Sequence, residues 1–443
     1  MRRSRATAER DVIETAPLRI DDLALDLQRV DEFGLGGRAP RLAVAPHDAA
    51  ALAAIQKRAN NAGLGVVVFG GATMQALGNA PTRYDIAISL ARLTRVLAYE
   101  PRDLTIAVEA GMSVATLSST LAEAGQFVPL DAPRAATATV GGTLAAGWRG
   151  PRRTTYGSAR DLVIGTEAIL ADGTHAHAGG MVVKNVTGYD VGKLYIGSLG
   201  TLGTLVRVNF KCLPLPPVRR IAIAPLSDEN RERALAHLAA LEIEPTCALL
   251  VRGFDAATPD VKSDDPRLFV LFEGSDAVVE RATRDLRSAL GAAGIPSTTI
   301  VDRNPEHAFA RVLDAYIDTL GGRSITFRST GLPSTVLERC ALADEVARDF
   351  VLRLDTIVDL RSGDLTLRFV APKKNAFAQI AATLADDLRE RLVPCTILAG
   401  DAAARSGIDA WGSQPPAMAA MRSLKSRFDE RATLAPGRFV GGI

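Results

Sequence analysis

Glycine punctuates the stretch from Gly179 to Val208 so closely, just ahead of an alternating β-type run, that the backbone there must approach something a side chain would hold off. Removing Cβ at Gly197, Gly200 and Gly203, at steps of three, opens the left-handed backbone region and leaves N–H groups free to face an anion. Thr139 to Gly147 (TVGGTLAAG) and Phe69 to Thr73 (FGGAT) repeat the theme upstream. A glycine pair alone marks nothing more than a tight hairpin or a bulge. The order is more specific: strand, Gly-Gly-Ala-Thr, strand, helix, Thr-Val-Gly-Gly, strand, Gly-Thr-Leu-Gly, strand. Three such loops in one region point to one large anionic ligand. No G-x-G-x-x-G opens a helix and no G-x-x-x-x-G-K-[ST] occurs, which argues against a Rossmann or P-loop site.

Around these loops the apolar pattern predicts a β-α-β unit: strands at Leu42 to Ala45 and Gly65 to Phe69 flanking a helix from Asp48 to Ala62. Strands follow at Asp85 to Ser89, Thr94 to Tyr99 and Leu104 to Glu109, then a helix from Ser113 to Ala124 capped by Ser113. Asp161 to Leu170 and Met181 to Val183 extend the sheet, Thr201 to Lys211 closes it, and Pro214, Pro216 and Pro217 mark a boundary. Beyond it a pattern repeats without repeating letters. Residues 219–301 and 324–399 each read strand, helix, strand, strand, helix, strand, joined by a helix at Pro305 to Leu320. Such β-α-β-β-α-β units are ferredoxin-like, a superfold that by itself specifies no chemistry.

Of the 443 residues 47% are hydrophobic, ample for two or three cored domains, and the net charge of +2 gives no reason to invoke nucleic acid. The longest apolar runs fall far short of a membrane span. Arg2, Arg3 and Arg5 are followed by Glu9, Asp11 and Glu14 where a signal peptide needs an apolar stretch, so a cytoplasmic protein is expected. Cys212, Cys247, Cys340 and Cys395 are scattered, His175 and His177 have no third ligand nearby, and His237 and His307 are isolated, so no metal is expected.

The segments Val66 to Gly71, Leu104 to Val114, Ala138 to Gly147, Tyr156 to Asp161 and Val183 to Leu213, in that order, resemble the FAD-binding domain of the vanillyl-alcohol oxidase or p-cresol methylhydroxylase (PCMH) type. Within it Lys184-Asn185-Val186-Thr187-Gly188-Tyr189-Asp190, followed by Gly197-Ser198-Leu199-Gly200-Thr201-Leu202-Gly203, is similar to the FAD-binding subunits of bacterial glycolate oxidases. Arg427-Phe428-Asp429 and Ala435-Pro436-Gly437-Arg438-Phe439 resemble the closing "FDP…NPGR" signature, with Glu430 and Ala435 departing from it. The resemblance implies an α+β chain: a two-subdomain PCMH-type FAD-binding domain plus a cap of two ferredoxin-like units. The expected division is an N-terminal extension at 1–35, the FAD-binding domain at 36–217, the cap at 218–400 and a returning C-terminal segment at 401–443.

It also implies FAD, bound non-covalently because no His or Cys neighbours either Gly-Gly pair. The expected contacts are Phe69, Gly70, Gly71, Ala72, Thr73 and Met74 from the first loop, and Thr139, Gly141, Gly142, Thr143, Ala146 and Gly147 from the second. Gly157, Gly200, Gly203 and Val206 complete the set. The implied reaction is oxidation of a small 2-hydroxy acid of the glycolate or D-lactate kind, with hydride passing to the flavin. Arg149, Arg152 and Arg153 follow the second loop and are candidates for holding the substrate carboxylate, against which stands a solvated or phosphate-neutralising cluster. Tyr156, Lys184 and Tyr189 are candidates for moving the hydroxyl proton, equally well explained as structural; Arg361 and Arg368 are more remote. The implied partners are a second flavin subunit and an iron–sulfur subunit, with membrane contact only peripheral, through them. The alternatives are an FAD-holding subunit without turnover and a stand-alone sugar or aldonolactone oxidase, against which the 5% aromatic content counts.

Overall fold

The computed structural model describes residues 20–182, 189–254, 266–295, 298–320, 323–373, 377–400 and 402–443. Its first sheet is built by β1 (Leu25–Leu27), β2 (Leu42–Pro46), β3 (Val66–Phe69) and β4 (Ile86–Ser89) in the order β1-β2-β4-β3. β2, β4 and β3 run parallel, connected through the helix Ala49–Asn61, whose first free N–H groups are met by Asp48 accepting from Ala51 N at 2.8 Å. β3 therefore ends at Phe69, and Gly70-Gly71 is delivered at the carboxyl edge of a parallel sheet.

The second sheet takes β5 (Val96–Glu100), β6 (Thr105–Glu109), β8 (Val163–Ile169), β9 (His175–Gly179) and β10 (Thr204–Lys211) in the order β5-β6-β10-β8-β9, with β7 (Gln126–Phe127) pairing separately with β11 (Leu213–Pro214). Two expectations are corrected here. β10 does not close the sheet but inserts between β6 and β8, because its Val206 and Val208 are core residues with neighbours on both sides. The outer strand after β8 is His175–Gly179 rather than Met181 to Val183, of which Val183 lies outside the described residues; His175 sits 3.1 Å from Glu167, a cross-strand pair.

The remaining strands form one eight-stranded antiparallel sheet: β12 (Val218–Pro225), β13 (Cys247–Arg252), β14 (Arg267–Gly274), β15 (Thr299–Val301), β16 (Ser324–Ser329), β17 (Arg353–Asp359), β18 (Leu365–Val370) and β19 (Cys395–Gly400). Their order, β15-β12-β14-β13-β17-β18-β16-β19, places the two β-α-β-β-α-β halves side by side, joined where β13 pairs β17. Alternation along the strands separates two faces. Leu250, Leu268, Val270, Ile325, Phe327 and Phe369 pack under the four helices of the halves. Leu249, Phe269, Leu271 and Ile357 face the other way, against Phe309, Val312 and Leu313 of the helix Pro305–Ala315 and against Trp148. That second face is the one turned toward the glycine loops, since Met74 joins the same apolar cluster.

Candidate cofactor cleft and active site

Gly70, Gly71, Ala72, Thr73, Met74, Thr139, Gly142 and Ala146 line a single cleft, together with Gln75, Ala145, Leu199 and Arg438. The first loop leaves β3 and bends through Ala72, whose φ of 54° lies in the left-handed region. The second is a correction to the sequence reading: Val140–Ala145 is a short helix, not a loop entering a strand. Thr139 caps it, accepting from Gly142 N at 3.1 Å, while Gly141 N donates to Ala110 O at 2.7 Å and ties the turn to β6's end. The third segment docks through Leu199 N donating to Ala145 O at 2.8 Å.

The glycines are there for a reason the sequence did not disclose. A Cβ on Gly70 would lie 2.0 Å from Thr139 Oγ1, and one on Gly71 would lie 1.7 Å from the carbonyl oxygen of Thr137. The first two loops thus close on each other, and their shared edge, with exposed Ala72 and Gly142, is what faces the cleft. Not every expected contact reaches it. Phe69 is buried on Phe33 and Tyr84, Gly141 packs on Ala110, Thr143 is buried with its hydroxyl unpartnered, and Gly147 abuts Gly197. Gly157 ends the turn Arg153–Tyr156 at φ 86°, Gly203 makes room for Tyr195, and Val206 is a core residue of β10. Gly200, at φ 75°, has open space where its Cβ would be.

In the sequence Arg438 stands out only as part of a closing signature. Its guanidinium is buried in the cleft wall, Nη2 donating to the carbonyls of Gln75 and Leu77 at 3.3 and 2.8 Å while Nη1 has no partner. Desolvation, then Arg405 nearby, pushes its pKa down to about 10. A glycine-edged cleft with an uncompensated buried cation suits a cofactor that carries a diphosphate.

Trp148, in the apolar cluster against which Met74 packs, belongs to a second group of side chains. Arg328 donates to Asp364 at 2.5 Å and to the carbonyl of Arg149 at 3.2 Å, with its guanidinium carbon 5.7 Å from the ring centre of Trp148. Arg153 approaches the same Asp364 at 2.9 Å, and Trp148 meets Tyr316 edge-on at 5.5 Å. Arg149 makes no ion pair among the described residues, and desolvation followed by Arg328 lowers its pKa. Three guanidiniums thus stand with two carboxylates, Asp364 and, 3.8 Å from Arg153, Asp359, leaving one positive charge in excess at exposed Arg149.

The other sequence candidates are placed differently. Arg152 is held between Asp131 at 2.7 Å and Glu273 at 3.1 Å and stacked on Phe127 and Phe309, so its guanidinium is already occupied by the protein. Burial and the negative charge of Glu273 raise the Tyr156 pKa, which keeps that hydroxyl protonated at neutral pH. Tyr189 is 97% exposed, and Lys184 lies outside the described residues. Arg361 bonds Glu244 and Thr155, and Arg368 is buried against Asp355 over Phe254. Tyr316, buried at the cap face with its pKa raised by desolvation, went unnoticed in the sequence because nothing local distinguishes it from a core tyrosine. Among the described residues there is no group of three or more metal-ligating side chains and no helix long and apolar enough to cross a membrane.

Residues 40–179 match a family model described as an FAD binding domain. The chain is 34% identical over 200 residues to glycolate oxidase subunit GlcE of Escherichia coli, an alignment that takes in 45% of this chain and 53% of that protein. The chain thus spans about half the length of that relative. Along most of its length, 91% against 93% of the relative, it is 26% identical to D-lactate dehydrogenase of Archaeoglobus fulgidus. Among solved structures it is similar to p-cresol methylhydroxylase with substrate bound, at a TM-score of 0.73 and 17% identity, covering 98% of this chain and 97% of that one.

Proposed function

We propose that this chain, a flavoprotein resembling the FAD-binding PCMH type with FAD as its cofactor, oxidises a small 2-hydroxy acid of the glycolate or D-lactate kind. The observation that carries the reading is the juxtaposition of two sites through Met74: a glycine-edged cleft with a buried cation, and an arginine cluster with one charge to spare. The names of the relatives, a glycolate oxidase subunit and a D-lactate dehydrogenase, support the substrate class. In this reading residues 36–217 form the FAD-binding domain, 218–400 the cap and 401–443 the returning segment, which packs on the cap cluster through Ala404 and Ala410 and reaches the first cluster at Leu434.

FAD, held non-covalently along Gly70 to Met74, Thr139, Gly142 and Ala146, supplies the hydride acceptor. The chain's own contribution is to bind and orient. Arg149, supported by Arg328 from the cap, holds the substrate carboxylate, and Trp148, Tyr316 and Leu398 keep water from the reacting carbon. Arg152 acts as a strut between FAD-binding domain and cap rather than as a ligand. Tyr156, being protonated, is a hydrogen-bond donor and not a base.

The test is an absorbance spectrum of the purified chain before and after anaerobic addition of glycolate or D-lactate. Bleaching of the flavin bands supports the reading, bands that persist with both acids point to an accessory flavin subunit or another substrate, and a chain that takes up no added FAD refutes the cofactor. Arg149→Ala is expected to leave flavin content unchanged and raise KM for the acid roughly 10-fold or more, the loss of one charge-assisted hydrogen bond. An unchanged KM would return Arg149 to a solvated face.

The likeness to a subunit named GlcE favours a second reading on the same site: work inside a complex with another flavin subunit and an iron–sulfur subunit, in the cytoplasm or against the inner membrane through them. A chain whose flavin is reduced by substrate only in the presence of co-purified subunits would support it.

A further inference from the structure

We infer that Arg438 is the residue that neutralises the diphosphate of the bound cofactor, so that the last six residues of the chain complete a site otherwise built from its first half. The inference rests on the FAD reading of the cleft and adds to it a ligand residue from a distant segment. Arg438 is 3% exposed and makes no ion pair among the described residues. The bonds from Nη2 to Gln75 and Leu77 hold the guanidinium against the first glycine loop, and Nη1 is left sealed from water without an acceptor. Arg405 donates to the carbonyls of Ala76 and Gly78 on the same loop, at 2.5 and 3.2 Å.

Backbone carbonyls contribute dipoles, not charge, and a buried cation facing only dipoles is costly unless an anion joins it. The position of Arg438 is set with care. Val66 N donates to Thr433 O and Ala435 N to Val66 O, so the segment lies along β3 and reaches the cleft at the end of the strand that delivers Gly70. Asn79 N donates to the carbonyl of Arg438 at 3.0 Å and Trp411 Nε1 to the same oxygen at 3.0 Å, which holds the backbone in place. A plain staple for the loop would need only the Nη2 bonds; Nη1 of this cleft-lining side chain is a further, unpartnered donor that a ligand oxygen would satisfy.

The experiment is a titration of the full-length apoprotein, wild type and Arg438→Met, with FAD and with riboflavin, which has the same ring and no phosphate. For the wild type, FAD affinity should exceed riboflavin affinity; in R438M the FAD affinity should fall roughly 10- to 100-fold with riboflavin affinity unchanged. The R438M apoprotein should melt at no lower a temperature than the wild-type apoprotein, since the change removes an uncompensated charge. Equal losses for FAD and riboflavin, or an unchanged FAD affinity, would overturn the inference and leave Arg438 a loop staple. Should R438M not fold, inorganic diphosphate added to the wild-type apoprotein keeps the question open to test: competition with FAD but not with riboflavin is expected, and its absence overturns the inference. A wild-type chain that binds neither flavin would instead sink the FAD reading itself.

Discussion

At the cap face Asp364 is the acid that Arg328 and Arg153 share, and its side chain is only 10% exposed. Desolvation works to raise its pKa, but Arg328, Arg153 and Arg149 outweigh burial and hold it below the ordinary carboxylate value. A carboxyl with a folded pKa below its unfolded one stabilises the fold at every pH above the unfolded value, about 4, and loses that contribution as pH falls through the folded pKa. Wild-type stability should therefore drop as pH is lowered from about 5 toward 2, and Asp364→Asn should flatten that slope while lowering stability at neutral pH. Urea midpoints across this range measure it; parallel curves for the two proteins would show that Asp364 does not feel the arginines. In the sequence Arg149 and Arg153 were legible because they follow a glycine loop, whereas Arg328, on β16, and Asp364, in the turn just ahead of β18, were not. Their meeting is a matter of strand order.

Among the elements, the C-terminal helix Met418–Phe428 depends on one buried pair. Lys425 Nζ donates to Asp429 at 2.7 Å and to the carbonyls of Thr201 and Leu434 at 2.8 and 2.9 Å, and Asp429 also accepts from Thr433 N and Leu434 N. Desolvation lowers the Lys425 pKa, so its positive charge there leans on Asp429. Asp429→Ala would strand a buried ammonium and two backbone N–H groups, a loss of about 3–5 kcal/mol. Chemical denaturation should show it, together with weaker flavin retention, because the same segment carries Arg438 to the cleft. A variant as stable as the wild type would mean the pair merely breaks even with water. The short helix Val140–Ala145 was missed in the sequence for a related reason: two glycines in six residues are poor helix formers, and it takes the Thr139 cap and backbone bonds to Ala110, Met112, Gly197 and Leu199 to hold them.

On the scale of the whole molecule, Glu273 of β14 ties the eight-stranded sheet to the segment after the second glycine loop, its side chain fully buried between Arg152 at 3.1 Å and Arg219 at 2.5 Å. Glu273→Gln keeps the shape but removes the charge both arginines rely on, and should cost about 3 kcal/mol. Unfolding of the cap and of the first two sheets should then separate into two transitions, and limited proteolysis near Pro214, Pro216 and Pro217 should speed up; a single unshifted transition would count against the strut. Much of this architecture was written in local pattern. Alternating apolar residues and turn residues were enough to place both β-α-β-β-α-β halves, because each half satisfies its own period and buries its own face. The glycine loops were likewise visible, since only glycine tolerates the approach found at Gly70 and Gly71. What the sequence could not settle was company: that Gly71 is crowded by Thr137, that Arg152 is occupied while Arg149 is not, that β10 lies inside its sheet, and that Arg438 reaches the first loop. Periodicity and backbone sterics act over a few residues and can be read one segment at a time, whereas charge pairing and burial depend on which distant segments the completed fold brings within a few ångströms.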